Sequence, residues 1–294
     1  MHNKLDRMKQ EYESIPIPDE LNQMVNRTIA SRRTKIKAMP WLASAAAACI
    51  LLFVSVNASP AFAKTLSEVP VLGQIVKVIT IREYTEQNEK TDVHLKTPGI
   101  AGTGDPELEQ SLNTKYLEEN KKLYEGFKDK VAQLEKAGGG HLALESGYEV
   151  VTDTDRLLTL SRYVVESAGS SAESRNYDTI DKVNHIVITL PSLFSDDRYI
   201  QVISDNIKEQ MRQQMKDDPS KVYWVHQPGI EPDIPEDDLF HNIAKDQNFY
   251  INRDGKLVIS FDEYDVAPGS MGVVEFTIPT EAIQNLLISN KYVQ

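Results

Sequence analysis

The spacing of apolar residues divides the chain into three regimes. In the first, Leu5, Met8 and Tyr12 form one helical stripe. Leu21, Met24, Val25, Thr28 and Ile29 form a second, behind Ile15-Pro16-Ile17-Pro18 and the acidic pair Asp19-Glu20. Proline and acid ahead of an i, i+3/i+4 stripe mark helix starts. In the second regime, Ala38 to Ala63, there is no charged residue, and Trp41 to Val56 is apolar apart from two serines and one cysteine. With its flanks this run reaches the roughly 20 residues that a helix needs to cross hydrocarbon. In the third, helical and alternating segments succeed one another to the end of the chain.

Those segments predict the elements of the third regime. Leu66 to Gly73 suits a juxtamembrane helix interrupted at Pro70 and Gly73, and Val76 to Tyr84 a strand. Val93 to Leu95 opens another strand, and Pro98 to Gly104 reads as a loop. Pro106 to about Lys136 repeats apolar residues at helical spacing and is stopped by Gly138-Gly139-Gly140. From His141 the period becomes two: His141–Val151, with a turn or bulge at Gly147, then Leu157–Glu166 and Lys182–Leu190, with Ala168–Ser174 as an exposed loop. A second long helix spans Asp196–Lys216, its Met211 and Met215 filling core. Pro228–Asp238 is a surface connection. Phe249–Phe261 is a hairpin turning at Asp254-Gly255, Gly272–Pro279 a strand, and Thr280–Leu287 a short helix. The expected fold is an α+β outer domain with a mainly antiparallel sheet and packed helices, one transmembrane helix, and a short helical segment before it.

Flanking charge orients the central stretch. Arg32, Arg33, Lys35 and Lys37 precede it, whereas one lysine, Lys64, follows. The positive-inside rule then places residues 1–37 in the cytoplasm and the long carboxy-terminal part outside. Two other readings of the stretch stand beside the anchor: a buried core helix, and a cleaved signal peptide, because Ala61-Phe62-Ala63 has the small-x-small form of a signal-peptidase site. Anchor and cleavage site can also act in sequence. The amino-terminal segment is too short for a core of its own. Its stripes call for a cytoplasmic protein partner, with a disordered tail as the alternative.

Net charge splits at the same place. Residues 1–37 carry eight basic and five acidic residues, and the whole chain is −12, so residues 64–294 carry −15. Such a domain repels nucleic acid and steers a cationic protein toward itself, although acidity also serves ordinary solubility. The lone Cys49 lies in the apolar stretch, which leaves the outer part without a disulfide.

Candidate chemistry is sparse. His94, His141, His185, His226 and His241 show no metal-ligand spacing, and no nucleophile motif falls in the outer part, so no cofactor is called for. Asp262-Glu263-Tyr264-Asp265 pairs carboxylates as a glycosidase would, or forms a solvated rim after a hairpin. Two Gly- and Ser-bearing stretches, 167–174 and 265–272, suit recognition. The second adds Pro268 to limit its conformations and Met271 as an adaptable apolar contact beside Gly269 and Ser270.

Several separated blocks together resemble a known family. They are Glu11-Tyr12 with Ile15–Pro18, the apolar span ending near Ala61–Ala63, Leu66–Gly73, Tyr148–Thr154, Ser192-Leu193-Phe194 and Val258–Gly269. In this order around one span they resemble the membrane-bound anti-sigma factors of Bacillus and its relatives that serve as lysozyme receptors. The resemblance implies a cytoplasmic segment, 1–37, that holds an extracytoplasmic-function sigma factor through Tyr12, Ile15, Ile17, Leu21, Met24 and Val25. It implies a transmembrane helix at 38–60 and a juxtamembrane segment at 61–80, cut by signal peptidase around Ala61, Ala63 and Lys64 before an intramembrane protease cuts the span. Two outer subdomains, 81–190 of DUF4163 type and 191–294 of DUF3298 type, would bind lysozyme through Ser170, Ser171, Pro268, Gly269, Ser270 and Met271. It also implies a larger aromatic side chain where this chain has Ser270. The implied protein is not an enzyme and binds no nucleic acid directly. A membrane-anchored cell-wall hydrolase and a structural or adhesion protein are the rival readings.

Overall fold

A computed structural model describes residues 76–230 and 234–294. The expected span, the cleavage residues Ala61, Ala63 and Lys64, and the residues assigned to sigma-factor contact lie outside them. The described part is a mixed α+β fold of two sheets and packed helices, as expected. Its larger sheet runs in sequence order, β1 (Lys77–Gln87), β2 (Thr91–Ala101), β3 (Leu142–Asp153), β4 (Leu157–Ala168), β5 (Ser170–Asp181) and β6 (Ile186–Ile188). Every neighbouring pair is antiparallel except β2 and β3, which are parallel and joined through helix α1 (Pro106–Lys136). A parallel pair needs such a crossover, because a hairpin cannot return the chain in the same direction.

Local chemistry fixes both ends of α1. The Asp105 side chain accepts from the backbone N–H of Glu107 and Leu108, and Pro106 takes the first turn, where its missing N–H costs nothing. At the far end Gly139 N donates to Leu134 O at 2.9 Å with a φ of +90°, which glycine adopts freely. Leu112, Tyr116 and Phe127 form the buried stripe and pack with Val93, Leu95, Ile100, Leu144, Leu158, Leu160 and Ile180 of the sheet. A charged network clamps the same contact: Lys115 Nζ lies 2.8 Å from Asp178 Oδ1, and Arg162 bonds both Asp178 and Glu119 while its guanidinium covers the Tyr116 ring at 4.6 Å.

Three local expectations need correction. Pro98 and Gly99 lie within β2, not in a loop. β2 pairs with β3 only over Thr91–Leu95, so Pro98 removes no rung from that side. Gly99 sits beneath Ile81, whose Cγ2 would be 2.3 Å from an added Cβ. Gly147 is no bulge either. The irregularity of β3 falls between Val150 and Thr152, and Gly147 is small because the Tyr163 hydroxyl would lie 2.4 Å from a Cβ there. Finally, Ala168–Ser174 is the end of a β4–β5 hairpin, with Ala168 opposite Ser170 and Gly169 at the tip with φ +87°.

The smaller sheet, β7 (Phe249–Ile251), β8 (Leu257–Phe261) and β9 (Val274–Ile278), is an antiparallel meander covered by helix α2 (Arg198–Asp217) and the short α3 (Thr280–Ile283). Tyr199, Ile203, Ile207 and Met211 of α2 are fully buried against Ile251, Leu257, Ile259, Phe276 and Ile278. Asp254-Gly255 makes the expected turn, with Gly255 at φ +71°.

Polar contacts join the sheets. Thr152 Oγ1 donates to Ile251 O at 2.7 Å, and the Tyr177 and Tyr250 rings stack at 5.0 Å, both hydroxyls donating to Glu275. Asp181, at the end of β5 and wholly buried, accepts from Tyr292 Oη at 2.7 Å and from the backbone N–H of Val183 and Asn184. Burial alone would raise its pKa. The Tyr292 hydroxyl and the two amides outweigh that and hold the carboxyl well below the ordinary value.

Candidate functional site

The first of the two stretches singled out for recognition is bonded to Asp262-Glu263, just ahead of the second. At the seam, Glu173 N donates to Glu263 Oε2 at 2.9 Å, and Glu263 N returns a bond to Glu173 O at 3.0 Å. Two residues on, Arg175 N donates to Asp262 Oδ1 at 2.8 Å, and Asn248 Nδ2 donates to Arg175 O at 2.9 Å. The hairpin end of the larger sheet is thereby fastened to the turn that follows β8. Ser170 and Ser171 lie beyond the seam, exposed, on the first residues of β5.

The turn itself is tightly folded. Asp262 N donates to Asp265 Oδ2 at 3.0 Å, and Asp265 N to Asp262 O at 3.1 Å. A 3-10 turn follows at Gly269–Met271 with Pro268 as its cap; Met271 N donates to Pro268 O and Gly272 N to Gly269 O. Of the assigned residues, Ser270 is exposed, while Pro268, Gly269 and Met271 are half-buried.

Tyr264 is the residue that sequence reading missed. Its φ of +72° lies in the left-handed region, which costs a non-glycine residue about 1–3 kcal/mol. Its ring is laid across Gly269, where an added Cβ would be 2.3 Å from Cζ and from the hydroxyl oxygen. It remains 47% exposed, a large aromatic face six residues before Ser270. The sequence shows Tyr264 only as one member of an acidic run; no local pattern announces a left-handed tyrosine.

Charge at the seam is mostly negative. Glu173, Asp262, Glu263 and Asp265 gather there with Arg175, whose Nε donates to Glu173 Oε1 at 2.6 Å. Burial pushes the Asp262 carboxyl up; the Arg175 amide opposes this, and the nearby Asp265 and Glu173 charges add to the rise. Asp262, Glu263 and Asp265 are thus tied into backbone hydrogen bonds that shape the turn. Among the described residues no group of three His, Cys, Asp or Glu side chains is placed to hold a metal, and no helix is long and apolar enough to cross a membrane. What the seam offers is an acidic, partly aromatic surface.

Comparison with known proteins gives that surface a context. Residues 191–281 match the family profile described as protein of unknown function DUF3298, and residues 33–101 that of the domain of unknown function DUF4179, which ends where β2 ends. The chain is 46% identical over 295 residues to the anti-sigma-V factor RsiV of Bacillus subtilis, covering 100% of both chains. A DUF3298 family member from Bacteroides fragilis shares the fold with a TM-score of 0.52 at 17% identity, over 74% of this chain and 96% of its own. A DUF3298 family protein from Pseudomonas aeruginosa does so with a TM-score of 0.51 at 14% identity, over 75% of this chain and 97% of its own.

Proposed function

The chain belongs to the family of the anti-sigma-V factor RsiV, and from that premise we propose that it is a transmembrane anti-sigma factor that senses lysozyme. The observation that carries this reading is identity of 46% along the whole length, amino-terminal segment included. In this reading residues 1–37 sequester an extracytoplasmic-function sigma factor in the cytoplasm, with Tyr12, Ile15, Ile17, Leu21, Met24 and Val25 as the contact stripe. Residues 38–60 anchor the chain as one helix, and residues 64–294 face outward. The protein acts by binding and by being cut, not by catalysis.

Lysozyme seats on the joined turns: Ser170 and Ser171 from the hairpin end, and Pro268, Gly269, Ser270 and Met271 from the turn after β8. Physical support comes from the hydrogen bonds that fasten these two elements to each other, because a preformed surface loses little entropy on binding. The −15 charge of residues 64–294 suits a strongly basic partner.

Release follows by proteolysis. Binding favours a state in which residues 60–66 enter the signal-peptidase groove in extended form, the chain is cut after Ala63, and an intramembrane protease then severs the span and frees the sigma factor. The test is to add lysozyme to membranes that hold the full chain with its sigma factor. We expect a shortened chain beginning at Lys64, and an Ala63→Trp variant that still binds lysozyme yet resists the first cut. A cut at the same bond in that variant would remove the site from the account. A chain that neither retains a sigma factor nor shortens would remove the function.

A further inference from the structure

Beside the Asp262–Met271 turn lies an open cavity of about 710 Å³. Trp224, Phe240 and Tyr264 provide its aromatic walls, and Asp237, Asp238 and Asp265 its carboxylates. The walls are fixed by backbone and ring contacts: Trp224 N donates to Val266 O at 2.8 Å, Phe240 N donates to Trp224 O at 2.7 Å, and the Phe240 ring meets Phe261 edge-on at 5.4 Å. Tyr264 is held in place over Gly269. Asp265 is occupied in part by the Asp262 amide, but no ion pair among the described residues engages Asp237, Asp238 or Asp265.

Aromatic faces beside carboxylates that no Lys or Arg engages among the described residues suit one ligand chemistry. A guanidinium or ammonium group gains both charge-assisted hydrogen bonds and the negative face of a ring. The three carboxylates are exposed, so a neutral ligand gains nothing from their charge and an anionic one is repelled by it. The cavity is roomy enough for a long side chain, and Tyr264 and Asp265 belong to it and to the recognition turn alike.

We propose that this cavity takes an arginine or lysine side chain projected by a basic protein seated on the turn. This deepens the lysozyme reading and rests on it for the identity of the partner. A protein docked over Ser270 would then be held at two places, by the shape of the turn and by a cation in the cavity.

Tryptophan placement provides the test. The chain has two tryptophans, Trp41 and Trp224, so in a Trp41→Phe background the emission reports on the cavity wall alone. The full chain in detergent micelles is titrated with capped tetra-arginine and with capped tetra-glutamate, before and after the surface substitutions Asp237→Asn and Asp238→Asn together. The expected result is a saturable change with tetra-arginine, weakened by about tenfold or more in the double variant, and none with tetra-glutamate. No response to tetra-arginine, or an equal response in the double variant, overturns the proposal. Lysozyme binding to the same preparations separates the two readings. If lysozyme binds the parent and the double variant equally, the cavity is outside the interface while lysozyme recognition stands. If tetra-arginine binds as expected and lysozyme does not bind the parent, the cavity stands and the lysozyme reading falls.

Discussion

Gly269 and Tyr264 show how one small residue sets the form of the recognition turn. The tyrosine ring occupies the space a side chain at 269 would need, so Gly269→Ala must displace the ring or the backbone. We expect the variant to keep its fold, read by circular dichroism, and to bind lysozyme about tenfold or more weakly, because an aromatic contact near the centre of an interface can carry much of its energy. Unchanged affinity would show that Tyr264 stands outside the contact. Asp181 makes a different prediction. Its carboxyl is held below the ordinary value of 3.8, so its bonds stabilise the fold above that pH and the stabilisation is lost as pH falls toward the lowered pKa. Tyr292→Phe removes one of those bonds. Urea unfolding should show a loss of about 1.5–3 kcal/mol at neutral pH that narrows below about pH 4; a gap independent of pH would assign the loss to packing instead.

The β4–β5 hairpin and the turn after β8 work as one element pair, although each was legible in sequence only by its composition. Glu263→Ala removes the acceptor of the Glu173 amide while leaving Asp262 to hold Arg175. Hydrogen exchange at Glu173 should accelerate by about tenfold, the equivalent of roughly 1.4 kcal/mol of local stability, with Arg175 little changed. Equal protection in parent and variant would mean that the pleat, not the seam, orders the hairpin end. Helical periodicity announced α1 and α2 to within two residues, since each buries one stripe, and the caps of α1 are written in Asp105, Pro106 and the glycines that follow. Strands with two polar faces gave no such signal. Ser170–Ser174 alternates nothing, because both faces there meet water or polar neighbours, and so it reads as part of a loop. Pro98 and Gly99 read as a loop for the opposite reason: their residue types suggest a turn, yet the strand tolerates them where one neighbour is missing. The seam was invisible for a third reason, since its bonds link residues about 90 positions apart through backbone amides.

For the molecule as a whole, the sequence shows the acidity of residues 64–294, and the fold fastens the β4–β5 hairpin to the Asp262-Glu263 pair after β8. On the proposed function, the charge of residues 64–294 should set the rate at which a basic partner arrives and the turn should set how long it stays. The two contributions separate by salt, which screens the first and leaves the packed contacts of the second. The decisive measurement is the association of lysozyme with the full chain in detergent micelles at low ionic strength, for the parent and for a variant with bulky residues at Pro268 and Ser270. A saturable complex with the parent, formed more slowly as salt rises and lost in the variant, is the predicted result; no complex with the parent would contradict lysozyme sensing, and undiminished binding by the variant would contradict the assignment of this turn.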